Sequence, residues 1–278
     1  MNRNVLHISR RHALQSLAAA CLSPRWLSAQ NEELEFAALD HVEFYVSNVE
    51  KSRDFFVRIF GNTLRMRGAK RYLKLGSAYM AFEPPRGSAG AANVDHFSAS
   101  IKKLEMPKLH SFLEQREVAF QDYPSGRDTG VTDGDAIKVQ LSPEDGWGLL
   151  NPANFVPETT NVQGEPIFHP TGMDHVLLNV SDVDKSVAFY RKFLGTPTPG
   201  NNNRTWFQIG PSRIGLVRTP AGQRSGVNHF CVSAAAFDYD TAIRKLKEVG
   251  AKVESSEVAG APEFRDPDGL LIQVMGPR

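Results

Sequence analysis

The chain is written twice. Residues 39–61, LDHVEFYVSNVEKSRDFFVRIFG, run parallel to residues 173–195, MDHVLLNVSDVDKSVAFYRKFLG, so that His41 falls on His175, Ser52 on Ser186 and Gly61 on Gly195 at an offset of 134. Gly76 and Gly210 keep that offset; His96 with His229, and Gln140 with Gln273, stand at 133, one residue fewer. A correspondence held from Leu39 to Gln140 is the duplication of a whole domain, and its period is far too long for a solenoid. At 278 residues the chain can supply two ordinary hydrophobic cores.

Each copy repeats itself more loosely. A histidine preceded by Asp or Asn and followed by an apolar residue opens four segments: LDHV at Leu39–Val42, VDHF at Val94–Phe97, MDHV at Met173–Val176 and VNHF at Val227–Phe230. HVEFYV and HVLLNV have the β-branched and aromatic character of short strands. A helix is predicted after each, capped by Asn48 or Asp182 and stopped by Gly61 or Gly195, with Phe55, Phe56, Ile59 and Phe60, or Phe189, Tyr190, Phe193 and Leu194, at helical spacing. Short strand patterns broken at Gly76 or Gly210 follow, and the order strand, helix, strands then starts again. The expected fold is therefore α+β: four βαβββ modules forming two tandem domains, 38–150 and 172–278, each with a cupped mixed sheet. Residues 151–171, rich in Asn, Pro and Thr without either periodicity, read as the linker.

Here the chain resembles the vicinal-oxygen-chelate superfamily, which includes glyoxalase I, extradiol dioxygenases, methylmalonyl-CoA epimerase and the fosfomycin and bleomycin resistance proteins. The resemblance runs from Leu39 to Pro277 and rests on DHV…S…F…LG in each copy and on FRDPDGLLIQV at Phe264–Val274. It implies a cup with metal ligands on its first, fifth and eighth strands. Carried over by position, these are His41, His96 and Gln140 in the first copy and His175, His229 and Gln273 in the second. The fourth-strand positions, Ala81 and Gly215, cannot ligate.

Two neutral imidazoles and one further donor leave open positions for two substrate oxygens. Glutamine standing where a carboxylate is expected removes one negative charge from the centre and weakens its hold on a divalent cation. Strand alternation places Glu43 and Tyr45 on the face of His41, and Tyr79 and Glu83 on the facing strand. Glu43 and Glu83 are thus candidates for a replacement ligand or a general base, and Tyr45 and Tyr79 for substrate contact. In the second cup Trp206, Gln208, Arg213, Cys231 and Ser233 are expected, with Trp206 and Arg213 suited to a planar, anionic ligand.

The resemblance implies an enzyme acting on a small substrate that chelates through vicinal oxygens, with extradiol ring cleavage first and isomerase or lyase chemistry next. Its cofactor would be Fe2+ or Mn2+, with Zn2+ or Ni2+ as further options. The alternative is a metal-free protein of the same fold that binds a small molecule. A homo-oligomer is compatible with either.

Residues 1–29 contain Arg3, Arg10, Arg11 and Arg25 and no acid, then an apolar run from Ala13 to Leu22 and small residues before Ala29. This reads as a twin-arginine-like export signal and implies a periplasmic destination, with lipidation at Cys21 as a second option. Without those four arginines the 31 acidic residues outnumber the basic ones, a balance that argues against nucleic-acid binding. No apolar stretch is long enough to span a bilayer. Beyond the leader Cys231 stands alone, so no intrachain disulfide is expected.

Overall fold

The structure is a computed structural model that describes residues 33–85, 92–150 and 153–277. The expected export signal and Cys21 lie outside the described residues. In the first repeat, β1 (Phe36–Tyr45), α1 (Val49–Phe60), β2 (Leu64–Arg67), β3 (Lys70–Leu75) and β4 (Ala78–Glu83) form one βαβββ unit. The next comprises β5 (Asn93–Ile101), α2 (Met106–Gln115), β6 (Phe120–Asp122), β7 (Thr129–Thr132) and β8 (Lys138–Pro143). One helical turn, α3 (Gly146–Leu149), and β9 (Val156–Glu158) follow. The second repeat gives β10 (Pro170–Val180), α4 (Val183–Leu194), β11 (Thr198–Pro199), β12 (Thr205–Ile209) and β13 (Ser212–Arg218). Its second unit is β14 (Gly226–Ala234), α5 (Tyr239–Glu248), β15 (Lys252–Glu254), β16 (Glu263–Arg265) and β17 (Leu271–Met275).

The local signals act as their chemistry requires. Asn48 and Asp182 accept from the backbone N–H of Lys51 and Lys185 at the starts of α1 and α4, and both helices stop at Gly61 and Gly195, whose φ of 97° and 86° suits glycine. Each repeat forms one mixed sheet, ordered β6-β7-β8-β5-β1-β4-β3-β2-β9 and β11-β12-β13-β10-β14-β17-β16-β15. At each centre the two histidine strands pair antiparallel, and each pairs in parallel with the last strand of its own unit. The 151–171 segment contributes to the first sheet, because β9 pairs with β2 and Glu158 takes Arg53 and Arg71 in ion pairs.

The sheet faces turned away from the histidines, together with the helices, bury one continuous apolar core containing residues of both repeats, in which Phe44 stacks on Phe230 at 6.0 Å. Matching polar contacts cross between the repeats. Asp135 accepts from the Ser181 N–H at 2.8 Å, and its counterpart Asp268 accepts from the Ser47 N–H at 2.9 Å. Gly76 and Gly210, with φ of 66° and 55°, turn against the first strand of the opposite repeat; a Cβ there would lie 2.2 Å from the Thr171 backbone or 2.0 Å from Ala37 O.

Candidate metal centre

A regular strand sends adjacent side chains to opposite faces, so Asp and His in a DH pair should not meet. All four pairs solve this with a bulge. The register of β1 on β5 steps from Leu39↔Ala99 to His41↔Ser98, passing over Asp40, and from Glu43↔His96 to Phe44↔Val94, passing over Asp95. β10 on β14 does the same at Asp174 and Asn228. The extra residue turns to the face of its histidine and receives the Nδ1–H. His41 donates to Asp40 at 2.6 Å, His96 to Asp95 at 2.8 Å, His175 to Asp174 at 2.6 Å and His229 to Asn228 Oδ1 at 2.7 Å.

With Nδ1 directed to these acceptors, the Nε2 atoms face one another across the sheet centre, and in a neutral imidazole it is Nε2 that holds the lone pair. His41 and His96 stand at 3.3 Å between Nε2 atoms, His175 and His229 at 3.0 Å. Two nitrogens ~2.1 Å from one ion at 90–110° are ~3.0–3.4 Å apart, so both pairs have the spacing of cis ligands to one cation. The outer acceptors on Nδ1 fix tautomer and ring orientation as they do around metals. Burial first, then the neighbouring His175 and Arg204, push His229 down to about 3, which keeps its imidazole neutral.

The two cups differ in what surrounds these pairs. In the first, one rung across the sheet reads Lys74, Tyr79, His41, Ser98, Gln140 and Gly130. Tyr79 stacks on His41 at 4.5 Å and packs with Tyr72, Ala81, Trp147, Leu150 and Phe155 in a separate apolar cluster that covers this face. Arg65 pins the covering segment by donating to the carbonyls of Trp147 and Leu150 and lying 4.4 Å over the indole. Glu43 is buried, which works to raise its pKa, yet Lys70 and His96 hold it below the usual value. Its carboxylate is paired with Lys70 and lies 3.8 Å from His96 Nε2. Lys70 thus engages Glu43, which groups with Asp95 and His96 within 4.8 Å. Tyr45 donates to Asp95 at 3.2 Å; Glu83 lies opposite Tyr45 on β4, four residues along from Tyr79. Of the four first-cup candidates, Glu43 and Tyr79 are therefore beside the histidines, whereas Tyr45 reaches them through Asp95.

In the second, the equivalent rung is Gln208, Arg213, His175, Cys231, Gln273 and Glu263. It opens into a cavity of about 790 Å³ lined by His175, His229, Gln273, Trp206, Arg213 and Arg204, among others. Arg213 donates to Asp174 at 3.2 Å and lies 4.4 Å over the Trp206 ring, which meets His175 edge-on at 5.2 Å. Gly215 makes room for that indole, since a Cβ would lie 2.5 Å from it. Cys231 is fully buried and groups with Asp174 and His175 within 4.8 Å. Gln273 is held through its amide nitrogen, which donates to Glu263 at 2.8 Å and Ser256 at 3.3 Å, so the carbonyl oxygen is the atom it can offer a cation. Two imidazole nitrogens and an amide oxygen in an open cup fit a divalent ion.

Glu263 and the Trp147 segment were not legible as site features. Glu263 falls opposite Gly130 at the repeat offset, and only the strand pairing brings it to Gln273. The recurrence of Asp or Asn before each histidine was visible, but its acceptor role was not, because alternation places neighbouring side chains on opposite faces.

A family model described as the Glyoxalase/Bleomycin resistance protein/Dioxygenase superfamily matches residues 172–274, the second cup. The metallothiol transferase FosB of Shouchella clausii (strain KSM-K16) is 30% identical over 114 residues, covering 37% of this chain and 78% of that protein. Among solved structures, the 2,3-dioxygenase LapB from Pseudomonas sp. KL28 superposes with a TM-score of 0.64 at 14% identity, over 88% of this chain and 94% of that one. The Mn(II)-bound glyoxalase from Novosphingobium aromaticivorans gives 0.62 at 12% identity, over 87% and 83%. At such identities these two likenesses speak to the fold. With the sequence relative matched over most of its length and the family model lying on the second cup, the chain belongs to the glyoxalase/bleomycin resistance protein/dioxygenase superfamily, the vicinal-oxygen-chelate proteins.

Proposed function

We propose that the chain is a divalent-metal enzyme working from its second cup, with His175, His229 and Gln273 as ligands, on a small planar anion that binds through adjacent oxygens. The observation that carries this reading is the pair of Nε2 atoms facing each other at 3.0 Å with both opposite nitrogens held by acceptors, the spacing at which a cation would bind both. A bound divalent cation would polarise the two substrate oxygens and favour their deprotonated form. The chain's own residues do the rest. Arg213, braced by Asp174, presents a guanidinium to the substrate's anionic group, and Trp206 offers an aromatic edge or face beside it. The first cup, covered by Trp147 and carrying Lys70, serves as scaffold in this reading.

Ring-opening oxygenation of a catechol-like acid, with Fe2+ or Mn2+, is the reaction proposed first, supported by the fold likeness to 2,3-dioxygenases along nearly the whole chain. The sequence relative named a metallothiol transferase favours, as the second reading, metal-dependent group transfer to a small anion. Metal analysis after loading with iron or manganese should give about one ion per chain, lost in His175→Ala and His229→Ala and kept in His41→Ala. No ion in the parent protein sinks the metalloenzyme reading. Oxygen uptake with a panel of catechol acids separates the two reactions: uptake supports cleavage, and thiol consumption without uptake supports transfer. Export through the first 29 residues is proposed with this function, and fractionation of the host that finds only uncleaved cytoplasmic protein would refute it.

A further inference from the structure

Two imidazoles and an amide oxygen bring no charge to a divalent cation, so the second cup as built from its three donors is electrically weak. An acidic side chain stands one strand away. Glu263 on β16 pairs directly with Gln273 on β17, and paired residues project to the same face. Its Oε1 accepts the Gln273 amide N–H at 2.8 Å and the Ser256 hydroxyl at 3.0 Å, and both Glu263 and Gln273 line the cavity. Ser256 Oγ also receives the Gln273 amide at 3.3 Å, closing a three-membered network.

We infer that Glu263 is the positioning residue of the metal centre: it fixes the Gln273 amide with its oxygen toward the histidines and drives negative charge onto that oxygen, restoring in the outer shell the charge that the ligand set lacks. The inference rests on the second-cup metal reading. A carboxylate hydrogen-bonded to an amide N–H polarises the amide toward a negative oxygen, and outer-shell acceptors of this kind raise ligand basicity. The first cup supplies an internal contrast. Gln140 has the same place on β8, but its partner on β7 is Gly130, which has no side chain to do this.

The test uses Mn2+ alone as probe, with binding followed by the electron-paramagnetic-resonance signal of free Mn2+, and thermal unfolding of each metal-free variant as the check on folding. Three chains are compared in full-length form: parent, Glu263→Gln, and the exchange Glu263→Gln with Gln273→Glu. The single variant keeps an oxygen acceptor for the Gln273 amide and removes the charge. We expect it to unfold within a few degrees of the parent and to bind Mn2+ ~10–100-fold more weakly. The exchange puts the carboxylate on the ligand itself and should bind at least as tightly as the parent. Glu263→Gln binding within twofold of the parent overturns the inference, and so does an exchange variant no tighter than the single one. A parent that binds no Mn2+ overturns the metal reading beneath it, whereas a parent that binds with an unaffected Glu263→Gln overturns this inference alone.

Discussion

Among the described residues, comparison of the repeats exposes an unmet group at Asp266. Asp133 and Asp266 hold equivalent turns before β8 and β17, each accepting two backbone N–H groups through Oδ1. Asp133 Oδ2 also receives the Tyr190 hydroxyl at 2.9 Å. At the repeat offset Tyr190 corresponds to Phe56, and Asp266 Oδ2 is buried without a partner. Burial pushes Asp266 up to about 6 against the pull of the Leu270 and Asp268 N–H groups. Because its folded pKa lies above the ordinary 3.8, this group favours folding below about pH 4, and that contribution is lost as pH rises through about 6. The loss amounts to ~3 kcal/mol at neutral pH. Asp266→Asn, which keeps the Oδ1 acceptor, should therefore gain on the parent between pH 4 and 7 in denaturant unfolding; a constant difference across that range would refute the assignment. Phe56→Tyr should supply the missing donor and stabilise the protein by ~1 kcal/mol or more at pH 7. A stability at or below the parent's would show that the two turns are not equivalent in their surroundings.

At the scale of elements, the strands, the helices and their grouping into four units follow from patterns visible in one dimension, whereas the bulges appear only in the strand register. Period-two strands, capped amphipathic helices and the offset of 134 leave little freedom in how each βαβββ unit folds. Which cup is open was not legible, because it depends on pairings and coverings between distant residues. Glu263 reaches Gln273 through strand register, and Trp147 reaches Tyr79 through a helical turn of four residues. That turn, α3, is tied down twice: Gly146 donates its N–H to Asp40 at 3.0 Å, the same carboxylate that holds His41, and Arg65 holds its far end. Trp147→Ala should cost ~2–4 kcal/mol by leaving a cavity over Tyr79 and His41. If α3 is cover and the second cup the metal site, Mn2+ affinity should stay within twofold of the parent. A large fall in affinity without unfolding would place the metal under Trp147 instead.

For the whole molecule, duplication has produced two repeats with one interior. Phe44 and Phe230 stack between the sheets, Asp135 and Asp268 cap the opposite repeat at Ser181 and Ser47, and the Tyr190 hydroxyl donates to Asp133 of the first repeat. Separating residues 172–278 would bare the Phe230 face, leave the buried Tyr190 hydroxyl without its acceptor, and remove the Ala37 backbone against which Gly210 turns. An apolar face of this kind is sufficient to drive association or partial unfolding. The half-chain should therefore lack a cooperative thermal transition and a structured near-ultraviolet circular-dichroism spectrum, and it should recover both when mixed with residues 33–171. Cooperative unfolding of 172–278 by itself, with Mn2+ bound as in the parent, would mean that the second cup is a self-sufficient domain. Recovery on mixing would instead show that the first repeat, its own cup covered, is retained to complete the core on which the second cup is built.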